Sequence, residues 1–160
     1  MDILTPIAEA LAREFALPDI DTTTTIVVRL LMATLLGGVL GYQRERGGHP
    51  AGLKTHILVS AGSALFVLAP LLAGVQMDAL SRVLQGIVQG IGFLGAGAIL
   101  KQESRDRIHG LTSAAGIWLT AAIGMTAGLG LEVTAMIATA IAWGVFRLMP
   151  KLMGEGPKPE

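Results

Sequence analysis

Long apolar blocks separated by short polar connections constrain this sequence more than anything else in it. A helix needs about 20 predominantly apolar residues to cross the hydrocarbon core of a bilayer. Five stretches meet that demand, at residues 26–42, 55–75, 83–100, 111–129 and 133–149. In hydrocarbon every backbone N–H and C=O must be paired inside the protein, so such stretches form helices rather than loops or open strands. The expected fold class is therefore all-α, a multi-pass transmembrane bundle of about five membrane helices. A short N-terminal helix at 5–17 precedes them. It has Ile7, Leu11 and Phe15 on one face and Thr5 as its cap, with Pro6 in its first turn, and it suits the membrane surface. Thr22 to Thr25 offer caps for the first span, Pro70 is expected to kink or end the second, and Pro150 to stop the last.

Composition agrees with a membrane setting. Only 15% of the 160 residues are charged, against about 25% in soluble domains. Formal net charge is zero, so global charge gives no sign of nucleic acid as a partner. With no Cys there are no disulfides, thiolate metal sites or cysteine nucleophiles. The 21 glycines stand beside very few aromatics, a balance that suits helices whose backbones approach closely. The chain divides into an N-terminal helix and linker (1–25), a membrane domain (26–150) and a short tail (151–160).

Lys and Arg set the expected orientation. Arg44, Arg46 and Lys54 fall in the first long loop, Lys101, Arg105 and Arg107 in the loop after the third span, and Arg147, Lys151 and Lys158 at the C-terminus. Only Arg13, Arg29 and Arg82 fall on the other side. This bias places the two long loops and the C-terminus in the cytoplasm and the N-terminus outside.

Several motifs ask for a reading. Gly90-Ile91-Gly92-Phe93-Leu94-Gly95 fits a dinucleotide fingerprint in letters only. That fingerprint needs a strand before it and an acidic residue about 20 positions on, whereas here it lies inside an apolar span. Gly86, Gly90, Gly92, Gly95 and Gly97 read as close-approach faces, as do the pairs Gly37/Gly41 and Gly124/Gly128, and together they predict a tight bundle or a homodimer seam. Arg29, one turn into the first span, either snorkels to the interface or marks a site. Arg82, Gln85 and Gln89 form a polar stripe that should meet another helix or a wet cavity. Thr112, Gly116 and Thr120 repeat every four residues on the fourth span and offer a facing surface. The first loop, from Gln43 to His56, reads as a solvated connection or as a turned segment able to bind an anion or lipid headgroup. No catalytic constellation and no carboxylate at a span centre is present, so an enzyme is not expected, nor is a metal or cofactor.

Taken in order, these motifs resemble the membrane domain of the MgtC/SapB family. The carrying residues are Arg29-Leu30, then Gly37-Gly38-Val39-Leu40-Gly41, Arg44-Glu45-Arg46 and Ala51-Gly52-Leu53-Lys54-Thr55-His56. Arg82, the Gly90–Gly97 block and Gly110-Leu111-Thr112-Ser113-Ala114-Ala115 follow, with Trp118 and Thr120 to Gly124. The family pattern has Glu where this chain has Gln43 and commonly Arg where it has Lys54. The resemblance implies a short form, without the ACT-like C-terminal domain of many relatives, in a bacterial inner membrane. It also implies a link to magnesium limitation, acid stress and virulence, and the F-type ATP synthase as a membrane protein partner.

The residues and the resemblance together point to a non-enzymatic membrane regulator. Arg44, Glu45, Arg46, Gly52, Lys54 and Thr55 would form one part of a cytoplasmic surface, and Gly110, Leu111 and Thr112 the other, offered to a protein or to membrane lipid. The alternative is a small magnesium or cation transporter using the Gln85/Gln89 face with Arg29 and Arg82 as gates, and Thr120 is a further intramembrane polar residue.

Overall fold

The computed structural model describes residues 3–102 and 107–152, and the expected roles of Arg105 and of the tail beyond residue 152 lie outside them. Six helices follow one another: α1 (Leu4–Glu14), α2 (Ile20–Arg46), α3 (Leu53–Leu72), α4 (Met77–Gly97), α5 (Leu111–Gly128) and α6 (Glu132–Leu152). Between α4 and α5 the chain forms a two-stranded antiparallel ribbon, β1 (Leu100–Gln102) with β2 (Arg107–His109), in the register Leu100 to His109. That ribbon falls where the sequence predicts only a loop. Its strands are three residues long, too short to leave an alternation that can be read.

Helices α2, α3, α5 and α6 are long and apolar enough to cross a membrane. The fifth expected span is α4, which has the length but is made less apolar by Arg82, Gln85 and Gln89. It nevertheless runs back alongside α3. A groove of about 490 Å³ is lined from Leu58 to Phe66 on one helix and from Val83 to Leu94 on the other. Helix α5 is the pole of the bundle and packs against α2, α3, α4 and α6. Helix α1 buries none of its residues and stands apart from the core.

Helix ends depart from the sequence expectation in instructive ways. Asp19, not the threonines, caps α2, which therefore starts earlier. Its Oδ1 accepts from the Thr22 N–H at 2.9 Å and its Oδ2 from the Thr22 hydroxyl at 2.7 Å. Those two bonds, the backbone one first, hold the Asp19 carboxyl below the usual carboxylate range. Thr5 lies inside α1 rather than at its cap. Pro70 sits in the last turn of α3, which ends two residues later. Pro150 does not stop α6, which continues to Leu152. A proline near a helix end removes one hydrogen bond without forcing termination where no later turn depends on it.

Glycine brings three helices together. A Cβ at Gly37 would lie 2.7 Å from the His56 carbonyl oxygen, and one at Gly41 would lie 2.8 Å from Leu53 Cα, so α2 rests directly on α3. From α5, a Cβ at Gly124 would run into the Ser60 carbonyl, and one at Gly128 would lie 2.6 Å from the Ala64 carbonyl oxygen. The glycines of α4 pack less closely. Gly95 meets Ala114 at ordinary contact distance, but Gly86, Gly90, Gly92 and Gly97 have no described atom within 4 Å of an added Cβ. Gly86 and Gly90 line the groove between α4 and α3.

Gly124→Ala should therefore force α5 off α3 at a cost of about 1–3 kcal/mol. Gly144→Ala, at a glycine with open space around it, should leave the melting temperature unchanged or slightly raised. Thermal unfolding of the two variants in mild detergent, followed by circular dichroism, measures the difference.

Candidate functional site

The ends of α2, α3, α5 and α6 meet where the first loop and the ribbon emerge. Two short devices build this end. The Glu45 Oε2 accepts from the Leu53 N–H at 2.6 Å, placing a carboxylate at the N-terminus of α3, where the helix dipole favours negative charge. Gly52 is what lets it in, since a Cβ there would lie 2.6 Å from that same oxygen. At the start of α5, Gly110 takes φ +94°, and a Cβ would run into the Ala98 carbonyl. Both conditions call for glycine. Gly52 and Gly110 thus shape the site rather than touch a ligand.

Inside this end lies a polar cluster. Arg44 is 4% exposed. Its Nη2 donates to Ser113 Oγ at 2.8 Å, joining α2 to α5, and its guanidinium stands 4.9 Å from the centre of the Phe146 ring on α6. His56 is fully buried, with Nδ1 at 2.9 Å from the Gly52 carbonyl oxygen. That carbonyl can only accept, so Nδ1 carries a hydrogen, and in the neutral ring Nε2 is an acceptor. Gly116 leaves the space between them, since a Cβ there would lie 3.1 Å from Phe146 Cζ and 3.6 Å from His56 Nε2. Four buried polar atoms here have no hydrogen-bond partner among the described residues: Gln43 Oε1, Arg44 Nε, His56 Nε2 and Ser60 Oγ. Buried polar groups are nearly always paired, and unpaired ones mark places where a protein holds something or moves. The cluster offers both donors and acceptors around one fixed positive charge.

The sequence-predicted residues divide accordingly. The structure brings the first loop and the start of α5 together, as the Arg44–Ser113 bond shows. Arg44 is however inside the bundle and not on a docking surface. Arg46, Lys54, Leu111 and Thr112 are exposed and Thr55 is half-buried. Arg46 stacks on Tyr42, one turn earlier in α2. At the far end, the half-buried Arg29 donates from Nη1 to the Gly128 carbonyl at 3.0 Å and lies against Gly130. It closes the C-terminus of α5, where unpaired carbonyls and the dipole favour a cation. Thr120 is buried and its hydroxyl donates to the Gly116 carbonyl of its own helix at 2.8 Å. Arg82, Gln85 and Gln89 are all exposed on α4.

His56, Ser60, Ser113 and Phe146 were not singled out as site residues from sequence. One signal was available. His56, Ser60 and Ser63 recur at i, i+4 and i+7, a polar stripe along one face of an otherwise apolar α3, and all three are buried. Phe146 carries no sequence signal, because its role depends on where α6 crosses Arg44.

Comparison with known proteins places this architecture. The MgtC family model matches residues 30–154. SrpB of Synechococcus elongatus is 49% identical over 122 residues, covering 69% of this chain and 67% of SrpB. YhiD of Escherichia coli K12 is 37% identical over 144 residues, covering 81% of this chain and 66% of YhiD. MgtC of Salmonella typhimurium LT2 is 40% identical over 115 residues, covering 72% of this chain and 48% of MgtC. The matched region thus spans about two thirds of SrpB and YhiD and about half of MgtC. No solved structure matches.

Ser113→Ala should leave the Arg44 guanidinium short of a partner and destabilise the fold by about 1–3 kcal/mol. Adding Arg44→Met should recover part of that loss, since an apolar side chain needs no partner there. A double-mutant cycle on melting in detergent should give a clear coupling between the two positions.

Proposed function

The chain belongs to the MgtC family, and on that premise we propose that it is a regulatory protein of a bacterial inner membrane that performs no catalysis. Its loop-bearing end and C-terminus face the cytoplasm, where Lys and Arg are concentrated. It acts there through contacts with a membrane protein or with lipid, in adaptation to magnesium limitation, acid stress or life inside a host. The F-type ATP synthase is the partner the family resemblance suggests. One observation carries the reading: the charged group buried in this end of the bundle is a guanidinium, Arg44, with its Nε unpartnered. A magnesium ion entering there would meet an unneutralised positive charge, whereas magnesium sites are built from carboxylates and other oxygens. Among the described residues no group of three His, Asp or Glu side chains could hold a metal ion.

The cation-transport reading is retained as the alternative because the relative YhiD is named as a candidate magnesium transporter. A homodimer completes the proposal. The exposed Arg82, Gln85 and Gln89 would otherwise face lipid unpaired. A glutamine carries both donor and acceptor, so a two-fold axis beside α4 lets the stripe satisfy itself.

Reversing the exposed charges, Arg46→Glu with Lys54→Glu, should abolish rescue of a strain lacking its own MgtC-family protein at low magnesium. The amount of protein in the membrane should stay unchanged. Arg44→Glu is expected to lower that amount instead, because it reverses a buried charge. In liposomes the purified protein should pass no magnesium; flux above empty vesicles would overturn the regulatory reading in favour of transport. Its mass in mild detergent should be that of two chains, and Gln85→Leu with Gln89→Leu should shift it toward one.

A further inference from the structure

Two helices present the same motif side by side. Tyr42 and Arg46 on α2 are four apart, and so are Trp143 and Arg147 on α6. In each pair the guanidinium lies over the ring that precedes it, at 5.6 Å for Arg46 over Tyr42 and 5.1 Å for Arg147 over Trp143. Arg46 Nη1 also lies 3.4 Å from the Tyr42 hydroxyl. The two helices run parallel, since Arg44 near the end of α2 meets Phe146 near the end of α6. Both rings therefore sit at one level and both guanidiniums one turn further toward the loops. Between them lies a pocket of about 520 Å³, lined by Tyr42, Gln43, Arg46, Gly47, Trp143 and Arg147. Its volume is that of a small-molecule site.

The surroundings say what kind of molecule fits. Below each ring, three and seven residues earlier, the same face carries exposed apolar side chains: Val39 and Leu35 on α2, Ala140 and Met136 on α6. Trp and Tyr rings above an apolar stripe and below arginines are the sequence in which a helix leaves a bilayer. A guanidinium fork matches phosphate oxygens in pairs, and stacking on a ring holds it flat and ready.

We infer that the α2–α6 pocket binds the headgroup of an anionic phospholipid. The phosphodiester lies between Arg46 and Arg147, and the acyl chains run along the two apolar stripes. This deepens the regulatory reading by naming the lipid contacted at the loop end. It is tested on the purified protein, so its failure leaves the cellular test of that reading untouched.

The chain has two tryptophans, so Trp118→Phe leaves Trp143 as the reporter beside the pocket. The full chain in neutral detergent is titrated with phosphatidylglycerol brominated on its acyl chains and, separately, with phosphatidylcholine labelled in the same way. Phosphatidylglycerol should quench Trp143 at a concentration about 30-fold lower, the combined effect expected of two arginines at an anionic surface. Arg46→Gln with Arg147→Gln should erase the difference, each single change should remove part of it, and the two lysine variants should keep part of it. Inorganic phosphate at millimolar concentration should leave the quenching unchanged. Displacement by inorganic phosphate would assign the site to a free anion and overturn the lipid assignment. Equal quenching by both lipids, or a preference that survives every glutamine variant, would overturn the site itself. Both substituted arginines, Arg46 and Arg147, are exposed side chains, and unchanged helical content by circular dichroism verifies that the variants fold.

Discussion

Close approach of α2 and α5 to α3 is the constraint on which the rest of the structure depends. Gly37 and Gly41 let α2 rest on the backbone around Leu53 and His56, and Gly124 and Gly128 let α5 rest on Ser60 and Ala64. In lipid there is no hydrophobic drive to press one apolar helix on another, so contact comes from packing and hydrogen bonding at short range. Small residues are the means of reaching that range. A layer of three helices in backbone contact then fixes the positions of every polar side chain between them.

The polar cluster at the loop end follows from that layer. Arg44 can reach Ser113 because α2 and α5 pack against each other as well as against α3, and Phe146 meets Arg44 because α6 packs against both α2 and α5. Closing such a cluster in hydrocarbon raises the stakes of each bond, since unpaired groups have no water to turn to. The outer surface has its own division. Helix α4 turns Arg82, Gln85 and Gln89 outward, while α2 and α6 turn matched ring-and-arginine pairs outward at the loop end.

Much of this was legible without coordinates. The apolar blocks predict helices because backbone polarity cannot be left bare in lipid, and every expected span corresponds to a helix. The Gly37/Gly41 and Gly124/Gly128 pairs were readable as contact faces because GxxxG spacing puts two small residues on one side of a helix. At Gly86, Gly90, Gly92 and Gly97 the same kind of face meets nothing among the described residues. Spacing shows that a smooth face exists, not that a neighbour fills it. Pro150 failed for a related reason: a local breaker near a helix end has little left to break.

The sequence by itself determined the class of fold, the helices and their order, and the side that collects positive charge, because each follows from local apolar length or from composition along the chain. Only the tertiary structure decided which polar residues are inside. Arg44 and Arg46 are two positions apart in one charged loop motif, yet one is buried against Ser113 and Phe146 and the other lies exposed on Tyr42. Two residues on a helix point about 200° apart, so they face opposite surroundings, and which of those is the core depends on where three other helices have been laid.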